Sequence, residues 1–491
     1  MQGTRIRLLM GGILLATASM TVQAETLQPD PAWQQGKLEN GFSWQLLTTP
    51  QRPSDRIEIR LLVNTGSLVE SAQQAGYSHL IPRLALVHNA ALDPAQQRSL
   101  WQQSIDPQHP QPPAVTSYDF TMYNLSLPNN RPEMLKEALT WLAATAGKMT
   151  INDQVVNTAL NADDPIATWP GNPQDVWWRY RLKGSTMLAH DPSAAVKTPV
   201  DMAQLYAFYK QWYTPDAMTL FVVGNVDSRS LAEQINKQFS PLEGKRDQPS
   251  AMPTLSPLPQ QPVNLVNNAI SQDRLSLVWD TPWQPIRESQ NLLRYWQSDL
   301  AREALFWHVQ KVLSDNKTQG MQVGFDCRVL YQRAQCAINM DADNAALNNN
   351  LELIAKELVS VRDKGLTRQE FDTLMAQKNN ELTKLFATYA RTDTDVLMSQ
   401  RLRSQQNAVV DIAPEQYQKL RQAFLADLTL EQLNQELRQQ LTQDITMVLM
   451  QPQGEPETKV KMLLENWQKI MTPVAAAPTD SAPTDGSAPA Q

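Results

Sequence analysis

Apolar positions alternate along several short stretches, and the alternation predicts strands. The stretch "DRIEIRLLVNTG" begins at Asp55 and "DRLSLVWDTP" at Asp273, an offset of 218. Both place apolar side chains at every second position, the period of a half-buried strand. "AMTLFVVGNVD", with Thr219, and "DITMVLMQPQ", with Thr446, are a second strand-like pair at an offset of 227. Between these strands lie helical patterns. Thr150 in "GKMTINDQVVNTAL" and Thr367 in "DKGLTRQEFDTLMAQ" stand 217 apart and are expected N-caps, with Glu370 completing a capping box after Thr367. Three matches in one order predict a duplicated unit.

Each copy runs from strands through helices to a last strand. That order predicts an α+β fold of two homologous domains, each with helices on a mostly antiparallel sheet, facing one another across a chamber. Residues 25–247 form the first domain and 263–471 the second. Prolines 249, 253, 257, 259 and 262 make 248–262 an extended connector. Residues 472–491, "TPVAAAPTDSAPTDGSAPAQ", are too biased in composition to bury a core and read as a disordered tail.

At the N-terminus, Arg5 and Arg7 precede an apolar run that ends in small residues at Ala24. A cleavable signal for export over residues 1–24 fits better than a membrane anchor, which needs about 20 apolar residues. The expected compartment is the periplasm. Cleavage removes two arginines and no acids, so the net charge of −7 becomes −9. An acidic chain without clustered cations excludes nucleic acid as a partner. In an oxidising compartment Cys327 and Cys336, on two neighbouring strands, are expected to close a structural disulfide. Two buried thiols are the alternative.

Helical periodicity also marks "GYSHLIPRLAL", residues 76–86, where His79 opens an apolar run. Ser78 can cap this helix, which would leave Pro82 at the end of a tolerant first turn. His88 projects from the opposite face, and His109, His190 and His308 stand apart, so no metal-ligand spacing is present. "GYSHL" lacks the second glycine of a nucleophile elbow. Asp163 and Asp164 before Pro165 read as a turn or, alternatively, an acid pair. Trp169, Trp177, Trp178 and Tyr180, with Arg179, Arg181 and Lys183, read as aromatic packing of a loop or as a basic wall for a peptide or glycan.

Several segments together resemble the inverzincin metallopeptidases, the family of pitrilysin, insulinase and the mitochondrial processing peptidase. "LENGFSWQLL" and "LLVNTGSLVESAQQAGYSHL", with Gly66, Ser67 and Glu70, are similar to its first two strands and the start of its motif helix. "AVTSYDFTMYNLSLPN", "QLYAFYKQWYTPDAMTLFVVGNVD" and "ELVSVRDKGLTRQEFDTLMAQKNNEL" carry the likeness through both halves. The family's chemistry uses H-x-x-E-H, two zinc-binding histidines around a general base, and a glutamate ligand further on.

Here those five positions read His79, Leu80, Ile81, Pro82 and Arg83, and the downstream ligand falls at or near Ala159. Proline cannot move a proton, and a guanidinium has no lone pair for a metal. The resemblance therefore implies the family fold with its catalytic site lost, and no cofactor is expected. It also implies binding of a peptide or unfolded segment by strand addition to a sheet edge, or pairing with an active subunit or a second copy. An active peptidase with an atypical site and a structural scaffold are the alternatives.

Overall fold

Residues 25–315, 322–454 and 458–472 are described in a computed structural model of the chain. The expected signal segment and almost all of the tail lie outside them. Twelve strands fall in these residues: β1 Trp33–Lys37, β2 Ser43–Thr48, β3 Ile57–Val63, β4 Ala114–Thr116, β5 Thr121–Leu127, β6 Ala167–Thr168, β7 Met218–Gly224, β8 Val263–Val266, β9 Asp273–Pro282, β10 Gln322–Leu330, β11 Arg333–Ala342 and β12 Thr446–Gln451. They form a seven-stranded sheet ordered β1-β2-β7-β3-β5-β4-β6 and a five-stranded sheet ordered β10-β11-β9-β12-β8.

The duplication is visible in these orders. In both sheets the last strand of the half lies between a parallel partner (β2, β8) and an antiparallel one (β3, β9), followed outward by β5, β4 and β6 in the first sheet and by β11 and β10 in the second. The fold is the expected α+β pair. One register detail differs. Leu62 faces Thr219 and Val278 faces Thr446, so if the threonines correspond, the offset of 218 is two residues too long. A two-residue slip keeps each side chain on its face and leaves the apolar pattern unchanged, so alternation alone cannot detect it.

Each sheet buries apolar side chains on both faces. Leu46, Ile59, Leu61, Leu125, Leu220 and Val222 point into the first half's own helices. On the other face, Leu47, Phe221 and Val223 pack against Leu397 and Met398 of the helix Thr394–Gln406, which belongs to the second half. The arrangement is reciprocal. Val263, Val278, Ala337 and Val448 of the second sheet pack against Trp177 and Tyr180 of the first half's helix Val176–Arg181 and Leu258 of the connector. Glu25–Asp30 also crosses over: Leu27 N–H donates to Arg287 O and its side chain enters the second core.

One local expectation changes. The helix after Thr150 starts at Asp153, and its cap is Asn152, whose side chain accepts from Val155 N at 2.9 Å. An asparagine one residue before the helix outcompetes a threonine three before it. Thr367 does cap its helix, with the expected box to Glu370. The described helices include none long and apolar enough to cross a membrane.

Cys327 and Cys336 are directly opposed on β10 and β11 and form a disulfide. The hairpin turns through Tyr331 and Gln332, both at positive φ, and carries the Tyr331 ring into the first half. A disulfide closing so short a loop contributes about 2–3 kcal/mol. Cys327→Ser/Cys336→Ser should therefore lower the stability measured by chemical unfolding by that amount while the far-ultraviolet circular dichroism is unchanged.

Candidate functional site

The helix that bears His79 spans Tyr77–Val87. It starts earlier than a Ser78 cap would allow, and Ser78 lies inside it. Gly76 occupies the N-cap position in the left-handed region, at φ 88°, where a Cβ would also stand 2.5 Å from Ala194 O. The capping acceptor comes from further back: the buried Glu70 side chain accepts from Gly76 N at 3.1 Å and from Ser78 N at 2.7 Å. Pro82 is consequently the sixth helical residue, inside the second turn. An interior proline costs about 3 kcal/mol. Burial of Tyr77, Leu80, Ile81, Leu84 and Ala85 in the first core offsets that cost, since each large apolar side chain contributes about 1.5–3 kcal/mol.

His79 is buried, and both ring nitrogens are engaged: Nδ1 lies 3.0 Å from Thr116 Oγ1 on β4 and Nε2 2.7 Å from Asp164 Oδ2. Arg83, one turn on, donates from Nη2 to Ala159 O at 2.5 Å and to Ala162 O at 3.1 Å. Those carbonyls end the helix Asp153–Asn161, whose last carbonyls lack intrahelical partners. A cation there also meets the negative end of the helix dipole. Arg83 Nη1 stands 3.8 Å from Asp164 Oδ2. Ala159 is buried in the same core as the motif helix.

The structure thus brings His79, Arg83 and Ala159 together, as their expected positions require. It adds Asp164, for which a turn was expected. The turn exists, since Asp164 Oδ1 accepts from Ile166 N at 3.0 Å, and the other oxygen serves the site. The signal was an acidic residue before proline, but only the fold shows that it reaches His79. The chain then continues as β6, pairs in parallel with β4 at Val115 and Thr116, and donates Trp169 N–H to Thr116 O at 2.9 Å.

Of the other histidines, His308 lies between Glu370 at 2.7 Å and Glu357 at 3.3 Å, and His190 Nδ1 lies 3.0 Å from Ser67 O. No group of three His, Cys, Asp or Glu side chains among the described residues is arranged to hold a metal.

Most of the chain is similar to known proteins. Residues 46–179 match the model described as insulinase (peptidase family M16), and residues 199–378 match the one described as peptidase M16 inactive domain. Protein YhjJ of Escherichia coli K12 is 62% identical over 485 residues, covering 99% of this chain and 97% of that protein. The chain belongs to the M16 (insulinase) peptidase family. A solved structure described as a predicted insulinase family protease from Yersinia pestis is 64% identical, with a TM-score of 0.90 over 95% of this chain and 100% of that one. The probable zinc protease PqqL of E. coli K12 is 22% identical, and the match spans 88% of this chain but 46% of that protein. The solved first half of the periplasmic protease PqqL superposes with a TM-score of 0.75 at 19% identity over 92% of this chain and 99% of that one, a likeness of fold.

The zinc that M16 peptidases carry does not fit the donors present here. One imidazole and one carboxylate remain, the guanidinium of Arg83 takes the place of the second imidazole, and Ala159 has no donor atom in its side chain. An ion bound at His79 Nε2 would have to break the hydrogen bond to Asp164 and sit beside a permanent positive charge.

Burial pushes the Glu70 carboxyl up to about 7, against the lowering effect of the Ser78 and Gly76 N–H groups. In the unfolded chain the same group ionises near 4.5. Its contribution is therefore complete below about pH 4.5 and declines as the pH rises to about 7, by at most about 3 kcal/mol. Thermal melts between pH 4.5 and 7.5 should show a shallower decline of the midpoint for Glu70→Gln than for the native chain.

Proposed function

We propose that this protein is an exported, non-catalytic M16 homologue that binds extended peptide or protein segments in the periplasm, alone or as the partner of an active peptidase subunit. The observation that carries this reading is the use made of the motif positions. His79, Arg83 and the carbonyl of Ala159 all serve to hold one helix end and one strand against the motif helix. Groups so engaged are not available to activate water, and Pro82 offers no base. Export is supported by the charged and apolar N-terminal segment, by the Cys327–Cys336 disulfide and by the likeness of fold to PqqL, which is described as a periplasmic protease.

Peptide binding is supported by what the second half leaves open. β10 is the edge strand of its sheet, pairing only with β11 among the described residues, and a cavity of about 860 Å³ opens beside it. In the first half, β6 already occupies part of the β4 edge, so a segment adding there would have to displace it.

Metal analysis of the purified protein together with a peptide-hydrolysis assay tests the reading. The expected result is zinc far below one equivalent and no turnover that a chelator abolishes. Chelator-sensitive turnover at an ordinary enzymatic rate would overturn the non-catalytic reading, and an absence of binding to any peptide in calorimetry would favour a scaffold. Rebuilding the motif as Pro82→Glu/Arg83→His/Ala159→Glu should raise the zinc content towards one equivalent.

A further inference from the structure

The cavity beside β10 has a charge opposite to that of the chain that encloses it. Four guanidinium groups line it, from Arg294, Arg302, Arg328 and Arg403, and one carboxylate, Asp299. The protein as a whole carries −7. Two of the four are committed: Arg302 Nη2 lies 3.3 Å from Asp299, and Arg328 Nη2 donates to Pro170 O at 2.7 Å. The side chains of Arg294 and Arg403 make no hydrogen bond or ion pair among the described residues, and both are exposed. Unpaired cations kept in an acidic protein, at the wall of a cavity, attract an anionic occupant.

Further features of the cavity narrow the class. Its walls include the rings of Trp169, Trp279, Trp283, Tyr295 and Phe325, which accept apolar or aromatic side chains. The nine residues of β10, Gln322–Leu330, present along their outer edge main-chain groups with no partner strand among the described residues. An edge of this kind pairs with an extended main chain, which a glycan or a small anion does not supply. Trp169 closes the cavity on the side of the first half, at the end of the same β6 segment that Asp164 ties to His79.

We propose that this cavity takes an extended peptide segment rich in acidic and apolar side chains, paired along β10 with its carboxylates towards Arg294 and Arg403. The inference rests on the peptide-binding reading above and adds to it the location and the chemistry of the segment. The pairing of charges at a partly exposed wall is screened by salt, over a Debye length of about 10 Å at 0.1 M and about 3 Å at 1 M.

The test uses fluorescein-labelled peptides of about ten residues, some 33 Å when extended. Three series alternate an apolar residue with Glu, Gln or Lys, and binding to the full chain is followed by anisotropy. The Glu series should bind about tenfold or more tighter than the Lys series, and 1 M salt should remove most of the difference. Arg294→Gln/Arg403→Gln, which breaks no hydrogen bond or ion pair among the described residues, should weaken the Glu series about fivefold or more with an unchanged melting midpoint.

Equal binding of all three series, or a double variant that binds as the native chain does, would overturn this inference and leave the peptide-binding reading in place. No binding by any series would overturn both. Binding of an oligogalacturonate in place of the Glu peptides would overturn the peptide class in favour of an anionic glycan.

Discussion

A guanidinium that is mostly buried must find acceptors, and Arg83 finds them at the end of another helix. Its side chain, 16% exposed, lies where the family places a metal-binding imidazole, and it donates to Ala159 O and Ala162 O. Leaving such a charge unpaired would cost several kcal/mol, so the helix Asp153–Asn161 is tied to the motif helix at its C-terminal end. The chain leaves that end as a turn in which Asp164 meets both His79 and Arg83. β6 and Trp169 follow directly. The path from the motif to the cavity beside β10 therefore begins with the acceptors that Arg83 requires.

The same logic of cross-covering applies at the scale of the domains. Each half contributes a helix to the second face of the other's sheet, so neither sheet leaves that face bare. The hairpin tip at Tyr331 adds a third tie. Its ring stands edge-on to Tyr118 at 6.2 Å and to Trp169 at 5.7 Å, and its hydroxyl lies 3.2 Å from Ser117 Oγ. Arg401 and Gln405 of the covering helix both donate to Gln45 Oε1 at 2.9 Å. Two units joined this way are not expected to unfold independently, because each leaves an apolar sheet face bare when the other is lost.

The duplicated strands were legible because their burial is two-sided and periodic, so "DRIEIRLLV" and "DRLSLVWD" announce themselves without a partner. The family was legible from the order of loose matches, and the loss of the motif from Pro82, Arg83 and Ala159. What was not legible depends on contacts distant in sequence. Glu70 caps the motif helix from a loop before its first turn, so Ser78 looked like the natural cap. Asp164 reads as an ordinary turn residue until the fold brings it to His79, 85 positions away. The helix Thr394–Gln406 buries only Leu397 and Met398 among its large apolar residues, too weak a stripe to predict that it covers a sheet of the opposite half.

We propose that the motif positions of this M16 chain have become structural, with His79 held by Thr116 and Asp164 and not by a metal. A crystal structure grown in excess zinc, with anomalous data collected at the zinc edge, tests this at the atoms concerned. The account predicts the Asp164 carboxylate within hydrogen-bond distance of His79 Nε2 and no anomalous peak there. A peak about 2.0–2.1 Å from Nε2, with Asp164 turned to ligate it or displaced, would contradict it.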